Sequence, residues 1–117
     1  MGIGQKIKIL RKRKNYTQLE LGRRLGFNES NAEARISQYE VGIRKPKKEM
    51  LKKISKQLNI PIELLIGFED PLLNVYIELY WLFMDGTEML IISKILDILK
   101  IIDTDRYIIL EGKTKGI

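Results

Sequence analysis

Residues 17–42 contain two helical runs, each closed by a glycine, and this punctuation restricts the chain to short helices joined by tight turns. Thr17 opens the first run with explicit chemistry. Its hydroxyl is placed to accept from the backbone N–H of Glu20, and the Glu20 side chain to reach back to the Thr17 N–H, which is a capping box. Tyr16 before the cap and Leu21 at the fourth helical position are set to form a hydrophobic staple that fixes the direction from which the chain arrives. Gly26 ends this helix, where a left-handed residue is tolerated. After a polar loop, Phe27-Asn28-Glu29-Ser30, a further helix is predicted from about Asn31 to Val41, with Gly42 as its stop.

The flanking segments follow the same logic. Ile3, Ile7, Leu10 and Arg11 fall on one stripe at helical spacing, so a first helix is read from about Ile3 to Lys14, closed by Asn15. Lys45-Pro46 marks a turn, because proline disfavours helix at the residue before it. A helix from about Lys48 to Leu58 carries Leu51, Ile54 and Leu58 inward, and Pro61 suits the first turn of a short fifth helix with Leu64 and Leu65, ended by Gly67. Five short helices over residues 1–67 predict a compact all-α domain.

The helix from Asn31 to Val41 has two distinct faces. With Ile36 taken as inward and about 100° per residue, Ala32, Tyr39 and Glu40 lie within about 60° of it and should face the core. The opposite side presents Asn31, Ala34 and Gln38, flanked by Ser30, Arg35 and Ser37. These are small or hydrogen-bonding groups, the mix that base edges in a major groove require, since glutamine pairs with adenine and arginine with guanine. Taken alone, a polar outer face is what any surface helix shows. Glu40 is more informative, because a carboxylate does not sit on an inward face without a partner. Arg11 lies about 40° from Ile7 on the buried stripe of the first helix, so a structural Arg11–Glu40 ion pair is expected.

These residues carry a resemblance. Thr17-Gln18-Leu19-Glu20-Leu21-Gly22-Arg23-Arg24-Leu25-Gly26, followed by Ile36-Ser37-Gln38-Tyr39-Glu40-Val41-Gly42-Ile43-Arg44-Lys45-Pro46, resembles the helix-turn-helix domain of phage repressors and Cro-like (XRE-type) transcriptional regulators, over residues 3–67. The resemblance implies that Gln18 binds DNA phosphate from the start of the second helix. It implies that Glu33, Ala34, Arg35, Ser37 and Gln38 lie on or near the base-reading surface, to which the helical geometry adds Asn31. It further implies that Arg44 and Lys45 hold the DNA backbone and that Arg11 pairs with Glu40. One departure matters: the nine residues between Gly26 and Ile36 exceed the family's connection by about four, close to one helical turn. Either the turn is longer or the third helix gains an N-terminal turn near Asn31 to Ala34.

Charge separates the chain into two parts. Through Gly67 there are sixteen basic and six acidic side chains, a balance of +10, so that with a total of +6 the remainder carries −4. That asymmetry suggests a nucleic-acid-facing module joined to one with another task, although a lysine-rich surface is often only a solvated face. Residues 68–117 change pattern accordingly. The stretch from Leu72 to Met84 is apolar on nearly every side, Asp85-Gly86 turns the chain, and a second helix from about Thr87 to Ile102 completes a helical hairpin. Such a hairpin cannot bury its own apolar area. It must cover the preceding domain, form a pocket for a small effector, or pair with a second copy of itself. Pairing is favoured, because these regulators bind palindromic half-sites as two-fold dimers. Tyr76, Tyr80, Trp81, Phe83, Ile91 and Ile95 are the expected dimer interface. The segment from Arg106 to Leu110 reads as a short strand or a further helical turn, with residues 112–117 frayed.

The expected function is sequence-specific binding of double-stranded DNA, as a transcriptional repressor on a palindromic operator. The alternative is an interaction protein of antitoxin or developmental-regulator type, whose hairpin captures a protein partner. With no histidine and no cysteine, the commonest general base, nucleophile and metal ligands are missing, and no glycine-rich phosphate loop is present; neither an enzyme nor a cofactor is expected. RNA binding through aromatics on a sheet is not expected of a helical chain. The opening residues lack the pattern of a signal peptide and no run is suited to spanning a bilayer, which predicts a cytoplasmic protein.

Overall fold

The computed structural model describes residues 2–84 and 89–114, with the side chains of 80, 82–84, 89–95 and 114 left out of the description. Among the described residues the chain is all-helical and divides into two compact units, Met1–Leu65 and Ile66–Ile117.

The first unit holds α1 (Ile3–Arg13), α2 (Gln18–Arg24), α3 (Ala32–Val41), α4 (Lys48–Gln57) and all but the last residue of α5 (Glu63–Ile66). Each ends for a local reason. Asn15 follows α1 with φ 59°, Gly26 follows α2 with φ 92°, and Gly42 closes α3 with φ 85°, the left-handed geometry that turns a helix off. The core is the inward stripe of each helix: Ile7 and Leu10, Leu21 and Leu25, Ala32, Ile36 and Tyr39, Leu51, Ile54 and Leu58, then Leu64 and Leu65, all buried. Two glycines set how closely the helices approach. A Cβ on Gly22 would lie 2.6 Å from the Ala32 carbonyl oxygen, and one on Gly4 would lie 2.3 Å from that of Tyr39. α3 is therefore held by backbone contact from α2 on one side and α1 on the other.

The capping box at α2 forms by half. Thr17 Oγ1 accepts from the Glu20 N–H at 3.0 Å, but the Glu20 carboxylate bonds to Arg24 at 3.2 Å along the helix and not back to the cap. An (i, i+4) cation of opposite charge competes for the carboxylate that the cap would use. Tyr16 is half-buried beneath the Arg24 guanidinium, 4.4 Å from its ring centre.

The second unit contains α6 (Pro71–Met84), α7 (Met89–Ile102) and α8 (Thr104–Thr114), with α7 packed against both of the others. Leu73, Ile77 and Trp81 form the buried stripe of α6, at spacings of four, and Leu99 and Leu110 are buried on α7 and α8. The segment after Ile102 is thus a full helix, and its start explains why. The Asp103 carboxylate accepts from the Arg106 N–H at 3.2 Å, an N-cap bond that outweighs the strand preference of Ile108 and Ile109. Helix continues through residues 112–114, which the sequence places in a frayed tail; the expected Asp85-Gly86 turn and residues 115–117 lie outside the described residues. Arg106 also bonds Asp70 at 2.9 Å and Asp103 at 2.6 Å, tying α8 to the start of α6. Among the described residues no helix is long and apolar enough to cross a membrane.

Candidate nucleic-acid interface

The expected DNA-facing groups gather around α3. Ala32, Ile36 and Tyr39 are buried beneath it. Asn31 and Ala34 are exposed, and Arg35, Ser37 and Gln38 are half-buried. Asn31 is not part of the helix; it is the residue before it, and its carbonyl accepts from the Arg35 N–H at 2.9 Å. Beyond Gly42, the Arg44 N–H donates to the Gln38 carbonyl at 3.2 Å. That bond fixes the backbone of an exposed cation beside a candidate base-reading side chain. Arg44 and Lys45 are both exposed.

Underneath lies the ion pair that orients the three helices. Arg11 Nε donates to Glu40 Oε2 at 2.7 Å and Nη2 to Oε1 at 3.1 Å, while Nη1 donates to the Tyr16 carbonyl at 2.8 Å. Gln18 Nε2 donates to Glu40 Oε1 at 3.1 Å. One carboxylate therefore joins α1, the start of α2 and the end of α3. Gln18, expected at DNA phosphate, has one end of its amide committed to this cluster. Its position at the first turn of α2 is fixed by that bond, and the second Nε2 hydrogen is the donor left for a phosphate.

The long connection before α3 is a built turn, not an open loop. The Asn28 carbonyl accepts from the N–H groups of Asn31 and Ala32, at 3.0 and 2.9 Å. Glu29 reaches back to Arg23 of α2, with Nε to Oε2 at 2.6 Å and a second bond from Nη2 to Oε1. The Arg23 guanidinium, chiefly by hydrogen bonding, holds the Glu29 carboxyl below the usual carboxylate range, and the Arg23 pKa is raised in turn. Phe27 is half-buried. Its ring packs on Tyr39 at 6.4 Å between centroids, and the Arg35 guanidinium lies 5.4 Å above it. Both alternatives for the added residues thus share in the result. A closed turn occupies 28–31, and α3 begins one full turn before Ile36.

Sequence reasoning assigned no role to Phe27, Glu29 or Arg23. The signal was an aromatic residue inside a segment otherwise polar, which a loop exposed to water does not need.

At the C-terminal helices the proposed interface set separates. Tyr76 is half-buried. Trp81 is fully buried within the chain, on the 73-77-81 stripe of α6. The side chains of Tyr80, Phe83, Ile91 and Ile95 lie outside the described residues. The exposed apolar groups are others, led by Ile98, Ile101 and Ile102 on α7 at 57, 82 and 71%.

A family model described as helix-turn-helix matches residues 7–65, just over half of the chain and nearly all of the first unit. No curated protein matches the sequence.

Proposed function

The chain belongs to the phage repressor-like (XRE-type) helix-turn-helix family of DNA-binding transcription regulators, and on that premise we propose that it is a cytoplasmic repressor that acts by binding a palindromic operator as a dimer. The observation that carries the reading is the outer face of α3. Small and hydrogen-bonding side chains, Ala34, Arg35, Ser37 and Gln38, stand over a buried stripe of Ala32, Ile36 and Tyr39. A helix so held presents fixed donors and acceptors to base edges of the major groove, with its N-terminal residues foremost. In this reading Gln18, at the first turn of α2, and Arg44 and Lys45, exposed just past α3, take the phosphates, which set register without reading sequence.

Dimerisation supplies the second half-site. The stripe of Ile98, Ile101 and Ile102, at i, i+3 and i+4 on α7, supports a two-fold contact between copies, because exposed apolar surface of this kind marks an interaction site. The same stripe favours a second reading in which it takes a different protein, and the mass of the protein in solution separates the two. The direct test of the function is selection of bound duplexes from a random pool by the full-length chain. Recovery of one motif repeated as an inverted pair is expected. Recovery of unrelated sequences with uniform, salt-sensitive affinity would overturn it.

A further inference from the structure

Among the candidate base-reading side chains, Arg35 lies against an aromatic ring, that of Phe27. The guanidinium carbon lies 5.4 Å from the ring centre, within the reach of a cation–π contact, about 6 Å. The ring is itself held. It leans on Tyr39 at 51°, Tyr39 is buried, and the Phe27 N–H donates to the Gly22 carbonyl at 3.0 Å. The turn that follows is closed by Asn28 and fastened to α2 by the Arg23–Glu29 pair. Phe27 is therefore a fixed platform standing at the side of α3.

An arginine free in water samples many rotamers, and binding must freeze them before both of its N–H groups can meet one base. Contact with a fixed ring removes part of that freedom in advance. A guanine presents its O6 and N7 in one plane, so the orientation of the fork decides whether the pair forms. We propose that Phe27 is a positioning residue for recognition: it preorganises Arg35 toward guanine and so sets sequence preference without touching a base. The inference rests on Arg35 being a base-reading group.

The test uses the full-length protein with Phe27→Leu, Phe27→Tyr, Arg35→Ala and the Phe27→Leu/Arg35→Ala double variant. Each is titrated with the selected duplex and with duplexes altered at single base pairs, at one salt concentration, and each is melted thermally. The base pair whose preference Arg35→Ala removes is the reporter. Phe27→Leu is expected to lower the preference at that pair by about two- to fivefold, the loss of an exposed cation–π contact, and to leave the other positions unchanged. Phe27→Tyr is expected to restore it, and Phe27→Leu to change nothing further once Arg35 is alanine. A parallel loss at every position with a lowered melting temperature would make the ring merely structural. A gain in preference for Phe27→Leu would mean that the stack withholds Arg35; either result overturns the proposal. If Arg35→Ala shifts a preference and Phe27→Leu does not, the inference alone fails. If Arg35→Ala shifts none, the base-reading role of Arg35 fails with it.

Discussion

Arg11 and Glu40 meet in a two-bond pair, at 2.7 and 3.1 Å, with the Glu40 side chain only 2% exposed. The pair fastens α1 to the end of α3, and Gln18 adds α2 to the same carboxylate. Removing one partner leaves a buried charge, so Arg11→Ala and Glu40→Ala should each cost about 3–5 kcal/mol in denaturant unfolding. The double variant should cost less than the sum, because the two losses share one interaction. Additive losses would show that the groups act separately.

The isoleucine stripe on α7 gives a direct test of assembly. The full-length protein should sediment at twice its 13.7 kDa chain mass at micromolar concentration. Ile101, 82% exposed, can take a charge without disturbing the fold, so Ile101→Glu should sediment as a monomer and bind an inverted-repeat site far more weakly than the parent. If the parent is monomeric with and without DNA, the stripe serves another partner and the dimer fails.

Much of the first unit was legible in its sequence, because each boundary there has a single-residue cause. Thr17 caps, Gly26 and Gly42 stop, and Ile7 with Leu10, Ala32 with Ile36, and Leu51 with Ile54 and Leu58 recur at helical spacing on the buried faces of their helices. The inward position of Glu40 followed from angular spacing alone. What local sequence did not decide was competition between partners. Glu20 had both a cap and Arg24 within reach and took the cation; Gln18 had both solvent and Glu40 and took the carboxylate. In the second unit, an apolar pattern on every side of α6 left its buried stripe undetermined until α7 supplied a direction. For α8, the run of β-branched residues obscured the cap at Asp103.

Acid should loosen the second unit through Arg106. Hydrogen bonds from its guanidinium hold Asp70 and Asp103 below their ordinary value of 3.8. A carboxyl with a lowered folded pKa stabilises the fold above its unfolded value, and that contribution is lost as pH falls through the folded one. Fluorescence of Trp81, the only tryptophan, should therefore hold steady from neutrality to about pH 4 and change below it. Arg106→Gln should weaken the unit at neutral pH and flatten the acid change. An unaltered acid profile in that variant would exclude these two carboxyls as its cause.

Lys45 is expected to act on phosphate alone. Lys45→Ala should weaken binding to every duplex by a similar factor and reduce the slope of log affinity against log salt by about one. A loss confined to the preferred site would instead place Lys45 among the base-reading groups.

Gln38 is the most direct probe of base reading by α3: its carbonyl accepts from the Arg44 N–H, and at about 100° per residue its position falls opposite Ile36. The deciding measurement is the affinity of Gln38→Ala for the selected duplex, for single-base-pair variants of it and for random DNA, at fixed salt. The expected result is a loss of about 1–3 kcal/mol on the selected duplex, relaxed preference at one base pair of each half-site, and unchanged affinity for random DNA. An equal loss on selected and random DNA would contradict it.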